Sequence, residues 1–237
     1  MEKNLNLNQH ISQKFNEDLE RLRTDVLNMG GLVQNQLSDA IHSLVEKDSV
    51  LAESVLKNED TVDHKEIAID DICAKILARR QPTASDLRLV LAVSKMLPDL
   101  ERIGDESAKI AKFAIELREH SDMKGYIEVR HIGFLVHRML QRALDAFARF
   151  DVELAVKVVG EDKEVDTEYT TAVRELMTYM MEDSRSITRV MKVLWVLRSL
   201  ERVGDHARNI AEHLLFLVKG KDVRHISYQE MKEKILD

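Results

Sequence analysis

The sequence has few residues that interrupt regular structure. Its 237 residues include only two prolines and eight glycines, which leaves little room for turns and predicts long helices with short connections. Cys73 is the single cysteine and cannot form an internal disulfide bond. It lies on an apolar helical stripe, which favours a small core residue over a nucleophile.

Long apolar runs and an excess of basic residues are also missing. No apolar segment approaches the ~20 residues that span a bilayer, and the first residues, Met-Glu-Lys-Asn-Leu-Asn, lack the apolar segment of a signal peptide. With 35 Lys and Arg against 42 Asp and Glu, the net charge is −7, which argues against general nucleic-acid binding. The sequence therefore predicts a soluble, cytoplasmic protein.

The motifs of common enzyme classes are absent as well. There is no glycine-rich phosphate loop, no nucleophile elbow and no Ser/His/Asp order. A ferritin-like di-iron site needs Glu-x-x-His on two helices, and Glu128 with His131 forms the only such motif. We expect no catalytic residues and no organic cofactor site, so the protein is predicted not to be an enzyme. A carboxylate-bridged metalloenzyme of the ferritin-like type is kept as an alternative.

An internal duplication is the strongest positive signal. Leu-Glu-Arg-Ile-Gly-Asp at residues 100–105 returns as Leu-Glu-Arg-Val-Gly-Asp at 200–205, and such a recurrence indicates a duplicated unit. Earlier segments match at a shift of 103 residues, as residues 36–41 do with 139–144. The sequence predicts an all-α protein of two tandem three-helix bundles. They occupy residues 1–120 and 121–220, and residues 221–237 form a tail.

Six long helices are expected, three in each copy. They cover about residues 5–46, 48–80, 83–119, 126–149, 151–182 and 183–219, with a linker at 120–125. Thr83 and Asp86 have the spacing of a capping box, and a short last helix is predicted after the Ser227 cap. Pro98 lies inside the third helix and should kink it, because proline lacks a backbone N–H. The second copy carries Arg198 at that position.

Pairs of acidic residues recur within the duplicated helices. Each hexapeptide contains Glu-x-x-x-Asp, which on a helix puts two carboxylates one turn apart on the same face. At about 100° per residue, these pairs fall inside the apolar stripe of the third and sixth helices. The second helix of each copy adds another pair at the same spacing. The eight acids are Glu59, Asp63, Glu101, Asp105, Asp162, Asp166, Glu201 and Asp205.

Each copy therefore directs four acids into one groove between neighbouring helices. Carboxylates held so close must be neutralised by protons, by Arg or Lys side chains, or by a cation. Oxygen-only ligands suit hard ions such as Mg, Mn, Ca or oxidised Fe, so we predict a metal site in each copy. Glu66 and Asp70 are auxiliary candidates, and Gly104 and Gly204 would let another group approach closely. His206 is assigned to the surface. A purely structural helical adaptor without metal is the second alternative.

Taken with these features, the chain resembles the PhoU family of bacterial phosphate-regulon and phosphate-transport regulators. The resemblance covers about residues 5–225. It rests on residues 29–31 (Met-Gly-Gly), 80–88, 145–149 and 176–185 and on the two hexapeptides. The four Glu/Asp-x-x-x-Asp pairs match the metal-binding motif of that family.

The resemblance implies two three-helix bundles related by a pseudo-twofold axis. It implies a cytoplasmic, often dimeric, negative regulator of the phosphate regulon that has no catalytic activity. The implied partners are the ATPase subunit of the phosphate ABC transporter and the phosphate-sensing histidine kinase. When phosphate is plentiful, the family holds this kinase in its inhibitory state. No nucleic acid is implied, and membrane association would come through the partners. Iron, manganese, magnesium and zinc are the metals that the resemblance suggests.

Overall fold

Helices form nearly all of the structure. The computed structural model describes residues 13–118 and 126–236. In chain order the helices are α1 (Gln13–Val45), α2 (Ser49–Lys57), α3 (Glu59–Arg80), α4 (Ala84–Leu117), α5 (Tyr126–Arg149), α6 (Val152–Glu182), α7 (Ile187–Lys219) and α8 (Tyr228–Leu236). A one-turn 3-10 helix, Ser184–Ser186, precedes α7. Those two ranges contain no strand, and the all-α prediction is confirmed. None of the helices within them is both long and apolar enough to cross a membrane.

The two copies enter their second helix through the same local structure. Asp48 accepts hydrogen bonds from two backbone N–H groups in the first turn of α2, at 3.0 and 2.9 Å. Asp151 accepts one from the first turn of α6 at 2.9 Å. The residue before each aspartate is left-handed, with φ of 58° at Lys47 and 54° at Phe150. The aspartates satisfy N–H groups that the helix itself leaves open, which explains why these helices begin there.

The second helix is continuous in one copy and broken in the other. α2 ends at Lys57 and α3 begins at Glu59, with Asn58 between them. α6 runs unbroken through the equivalent place, where Glu161 stands. Asparagine is a weaker helix former than glutamate because its side chain competes for backbone hydrogen bonds. Glu59 therefore lies at the first position of a helix, whereas its counterpart Asp162 lies inside one.

Each copy packs as a three-helix bundle, and the two bundles share one core. In the first copy α1, α3 and α4 pack together, with α2 against α1 and α4, and in the second copy α5, α6 and α7 do so. α4 packs against α7 and α1 against α5, which joins the copies. The buried apolar side chains form one continuous cluster. α4 and α7 are equivalent helices, as are α1 and α5, so both contacts agree with a pseudo-twofold relation between the copies.

The predicted domain boundary at residues 120 and 121 lies outside the described residues, as do the linker and residues 5–12 of the first predicted helix. In the tail, α8 follows Ser227. The Ser227 N–H donates to Glu230 Oε2 at 2.9 Å, and the Glu230 N–H donates to Ser227 Oγ at 3.3 Å, which is a capping box. At the start of α4, in contrast, the Thr83 side chain makes no capping hydrogen bond.

α4 continues through Pro98 without a break. Proline cannot donate a backbone hydrogen bond to the carbonyl of Ser94, one turn earlier. The Ser94 hydroxyl donates to Asp70 of α3 at 3.2 Å, which ties the two helices together beside the proline. The helix that carries Glu101 is therefore a single element on both sides of Pro98.

Charged groups pair across the contact between α4 and α7. Near the end of α4, Glu116 lies 2.7 Å from Lys192 near the start of α7. Halfway along, the buried Glu106 lies 2.7 Å from Arg202. Near the start of α4, Arg88 donates to a carbonyl oxygen in the last turn of α7 at 3.0 Å. The order of these pairs shows that the two helices run antiparallel along most of their length.

A buried carboxylate lies at the centre of this contact. Asp99, which is 8% exposed, accepts hydrogen bonds from His206 at 2.8 Å and Asn209 at 3.0 Å through Oδ1, and from His213 at 3.2 Å through Oδ2. Burial alone would raise the pKa of Asp99, but the three hydrogen bonds outweigh burial and hold it below its usual value. The assignment of His206 to the surface was wrong. The equivalent residue of the first copy is Glu106. Because a glutamate cannot replace histidine as a partner of Asp99, the comparison of the copies did not indicate that His206 binds a buried carboxylate.

Two adjacent glycines in α1 test the packing between the copies. A Cβ atom at Gly30 would lie 2.5 Å from Cδ2 of the core residue Leu144, whereas a Cβ at Gly31 would have no neighbour within 4 Å. Gly31→Ala should raise the free energy of unfolding by about 0.5–1 kcal/mol, because alanine is the better helix former. Gly30→Ala should lower it by about 1 kcal/mol, because overpacking of about 1–3 kcal/mol exceeds that gain. Urea denaturation of both variants measures the difference, and equal stabilisation of both would contradict the packing.

Candidate functional site

Two glycines set the spacing of the helices that carry the acidic residues. A Cβ atom at Gly104 would lie 3.4 Å from Val62 of α3, and one at Gly204 would lie 3.4 Å from the equivalent Val165 of α6. The group that approaches each glycine is therefore the neighbouring helix of the same copy. This close approach places acids of α3 beside acids of α4, and acids of α6 beside acids of α7.

The four predicted acids of the second copy form what we call the second acidic cluster: Asp162, Asp166, Glu201 and Asp205. Burial raises the pKa values of Asp166, Glu201 and Asp205 above their usual range. Other carboxylates of the cluster raise them further, Asp162 acting on Asp166 and Asp205, and Asp205 acting on Glu201. Asp166 also acts on Glu201, so each of the four acids interacts electrostatically with at least two others.

Two arginines neutralise part of this negative charge. Arg198 donates to Glu201 Oε1 at 2.6 Å, and Arg208 donates to Asp162 at 2.7 Å and to Glu212 at 3.1 Å. The other oxygen of Glu201, Oε2, is buried and has no hydrogen-bond partner among the described residues. The raised pKa values and this unpartnered oxygen show that the arginines compensate the cluster incompletely.

The first acidic cluster consists of Asp63, Glu66, Glu101 and Asp105. Burial raises the pKa values of Glu66 and Glu101, and the other carboxylates of the cluster raise them further, together with Asp70 in the case of Glu66. Arg102 lies between the acids of α4, with Nε 3.4 Å from Glu101 and Nη1 3.2 Å from Asp105. Arg102 is therefore the arginine that pairs with this cluster. Its position in the copy is not equivalent to that of Arg198 or Arg208.

The fourth predicted acid of the first copy, Glu59, pairs with Lys112 of α4, at 3.9 Å. Glu66, which was only an auxiliary candidate, raises the pKa of Glu101 together with Asp105 and Asp63, whereas Glu59 is not among the acids that do so. The second copy has Tyr169 in place of Glu66, so the duplication gave no sign of this role. The two clusters thus differ in composition although their helices are equivalent.

Both donor sets fit a hard cation by their chemistry, because they contain only carboxylate oxygens. Within residues 13–118 and 126–236, however, no three Asp, Glu, His or Cys side chains stand in a metal-binding arrangement. In this conformation the arginines hold part of the carboxylates instead. Cys73 takes no part, because burial raises the pKa of its thiol to about 12, which disfavours the reactive thiolate.

The raised pKa of Glu201 predicts how its replacement affects stability. The charged form is disfavoured in the folded state, so stability is lost as the pH rises from the ordinary carboxyl range through the folded pKa. Glu201→Gln should therefore raise the free energy of unfolding at pH 7 in EDTA, by about 0.5 kcal/mol for relief of the repulsion with Asp205. This gain should shrink as the pH falls to the ordinary carboxyl range.

Urea denaturation at several pH values measures this gain, with the exposed Glu175→Gln as the control variant on α6. A loss of stability at pH 7 would mean that the contact with Arg198 outweighs the repulsion.

Comparison with known proteins agrees with the duplicated fold. A family model described as the PhoU domain matches the chain twice, at residues 26–114 and 129–214. The phosphate-specific transport system accessory protein PhoU homolog of Pseudomonas aeruginosa is 56% identical over 230 residues, which are 97% of this chain and 95% of that protein. The Escherichia coli protein PhoU is 48% identical over 232 residues, or 98% and 96% of the two chains.

Solved structures agree as well. The crystal structure of PhoU from Pseudomonas aeruginosa superposes with a TM-score of 0.86 and covers 87% of this chain and 100% of its own. A phosphate transport system regulatory protein PhoU from Streptococcus pneumoniae, 32% identical, superposes at 0.82 and covers 88% and 99%. The two matched stretches lie in the two bundles, so sequence, duplication and fold agree that the chain belongs to the PhoU family.

Proposed function

We propose that this chain is an accessory regulator of phosphate transport that represses the phosphate regulon when phosphate is plentiful. The observation that carries the proposal is the similarity along the whole chain. The Pseudomonas aeruginosa and Escherichia coli proteins, named for phosphate-specific transport, are 56% and 48% identical over at least 95% of both partners. A cytoplasmic location belongs to the same proposal.

The proposed mode of action is docking. The chain would act as an adaptor between the ATPase subunit of the phosphate ABC transporter and the phosphate-sensing histidine kinase, and it would work as a homodimer. The ion pairs between α4 and α7 support this role. The buried Glu106 pairs with the partly exposed Arg202 of the other copy, and such pairs would hold charged groups on the two copies in one arrangement.

Metal ions complete the proposal. A hard cation such as Mg, Mn or Fe, or alternatively Zn, would be held in the second copy by the second acidic cluster. In the first copy it would be held by Glu59, Asp63, Glu101 and Asp105, with Glu66 as a further donor. The cation would replace the arginines as the neutralising charge. It would join the two helices of each pair, because its donors come from both.

Two double variants test the metal sites. Glu101→Ala with Asp105→Ala, and Glu201→Ala with Asp205→Ala, should each lower the metal content by about half, because each set of donors comes from one copy. Each should also lose the stabilisation that a cation provides when it binds only the folded state, about 2.7 kcal/mol at 100 times Kd. Metal analysis and thermal melts with EDTA or with added Mn or Fe measure both effects.

The matched control is Glu164→Ala with Glu168→Ala, an exposed pair of acids at the same spacing on α6. The cluster variants could instead melt at a higher temperature than the parent protein, with no change on adding metal. The acids would then only repel one another, and the structural adaptor without metal would be the better description. Turnover in a redox assay by metal-loaded protein would instead support the ferritin-like alternative.

The regulatory role is tested in cells. Deleting the gene should derepress phosphate-starvation genes in phosphate-rich medium, and the intact gene supplied in trans should restore repression. A transcriptional reporter measures this, and a reporter that stays low in the deletion strain would contradict the assignment. A pull-down of the transporter ATPase and the sensor kinase, with and without phosphate, tests the adaptor role separately.

A further inference from the structure

A basic groove lies between α1 and the last turns of α3. It has a volume of about 440 Å³ and is lined by Lys14, Asp18, Arg21, Ile72, Lys75, Ile76, Arg79 and Arg80. Five of these eight residues are cationic and one is acidic, although the chain as a whole carries a net charge of −7. We call this the basic groove. It contains none of the acids of the two clusters.

Ion pairs shape the groove without neutralising it. Arg80 donates to Asp18 through Nε and Nη2, at 3.0 and 2.8 Å, and this bond holds α3 against α1. Lys75 pairs with Asp71, and Arg21 lies 3.6 Å from Asp25. The five cations and the three acids that pair with them leave a net charge of +2. Exposed Arg79 is one source of this excess.

The second copy shows that the fold does not require these cations. Basic residues are favoured at the C-terminal end of any helix by its dipole, by about 0.3–1 kcal/mol each. The equivalent helix, α6, has no basic residue in its last turn. Where the first copy has Lys75, Arg79 and Arg80, the second copy has Thr178 and Glu182 in α6 and Asp183 directly after it. The cations of the first copy therefore have a reason beyond helix formation.

We propose that the basic groove binds a soluble oligophosphate, an anion that carries several linked phosphate groups. Guanidinium groups match phosphate oxygens in geometry as well as charge. The cations come from two helices and from successive turns of α3, so they present an extended row of donors. The groove volume falls within the range of small-molecule sites, about 300–1,000 Å³. The proposal does not depend on the metal sites or on the regulatory assignment.

Calorimetric titration with tripolyphosphate at fixed ionic strength tests the proposal. The parent protein should bind one equivalent saturably. Arg79→Glu, which installs the residue that the second copy carries at this position, should weaken binding by about tenfold or more, because a hydrogen bond to a charged group is lost. The control variant Lys157→Gln, which removes an exposed cation of α6, should bind as the parent does. Circular dichroism melts of both variants check that they fold.

Other anions separate a built site from general attraction. Orthophosphate and sulfate should bind more weakly than tripolyphosphate, and vesicles of anionic phosphatidylglycerol should not bind. The proposal is overturned if tripolyphosphate binding does not saturate, or if Arg79→Glu and Lys157→Gln lose affinity equally. It is also overturned if orthophosphate or sulfate binds as tightly as tripolyphosphate. It is also overturned if only the vesicles bind in an Arg79-dependent manner, since the groove would then be a membrane contact.

Discussion

The structure depends on the need to pair charges that are buried between the two copies. Asp99 and Glu106 of α4 are 8% and 1% exposed, and an unpaired charge at such a position would cost several kcal/mol. Their partners lie on α7, except for Lys109, which lies one turn along α4 from Glu106. This pairing allows a single register of α4 against α7. Because Asp99 lies two residues from Glu101, the same register fixes where each acidic cluster lies relative to the other.

Much of this could be predicted from the sequence because it depends on local periodicity. Apolar spacing and the scarcity of proline and glycine predicted the helices, and the repeated hexapeptide predicted the duplication. The grouping of the acids in the second copy followed from the same helical geometry. The break at Asn58 was missed because a single weak helix former does not end a helix by itself. The break becomes apparent only when α2 and α3 are compared with the continuous helix α6 of the second copy.

Contacts between distant helices could not be predicted in this way. Which cation meets which acid depends on the register of the helices, and the hydrophobic pattern leaves the register open. Arg102 and Arg202 occupy equivalent positions, yet Arg102 serves its own cluster while Arg202 reaches Glu106 of the other copy. The pairing of His206 and the coupling of Glu66 were missed for the same reason. Comparing the two copies predicts a residue's contacts only where the equivalent residues have equivalent partners.

The difference between Glu106 and its counterpart His206 makes each copy selective for the other. If two first copies met through α4, Asp99 would face a second Glu106 in place of His206, although Lys109 and Arg102 would stand where Asn209 and Arg202 are. If two second copies met through α7, His206 would face Arg202, and Ser199 would stand where an acid is needed. Each homotypic pairing loses the contacts of Asp99 with His206 and His213, which form only between unlike copies, and such differences discriminate between binding modes. The interface thus favours pairing between unlike halves over pairing between like halves.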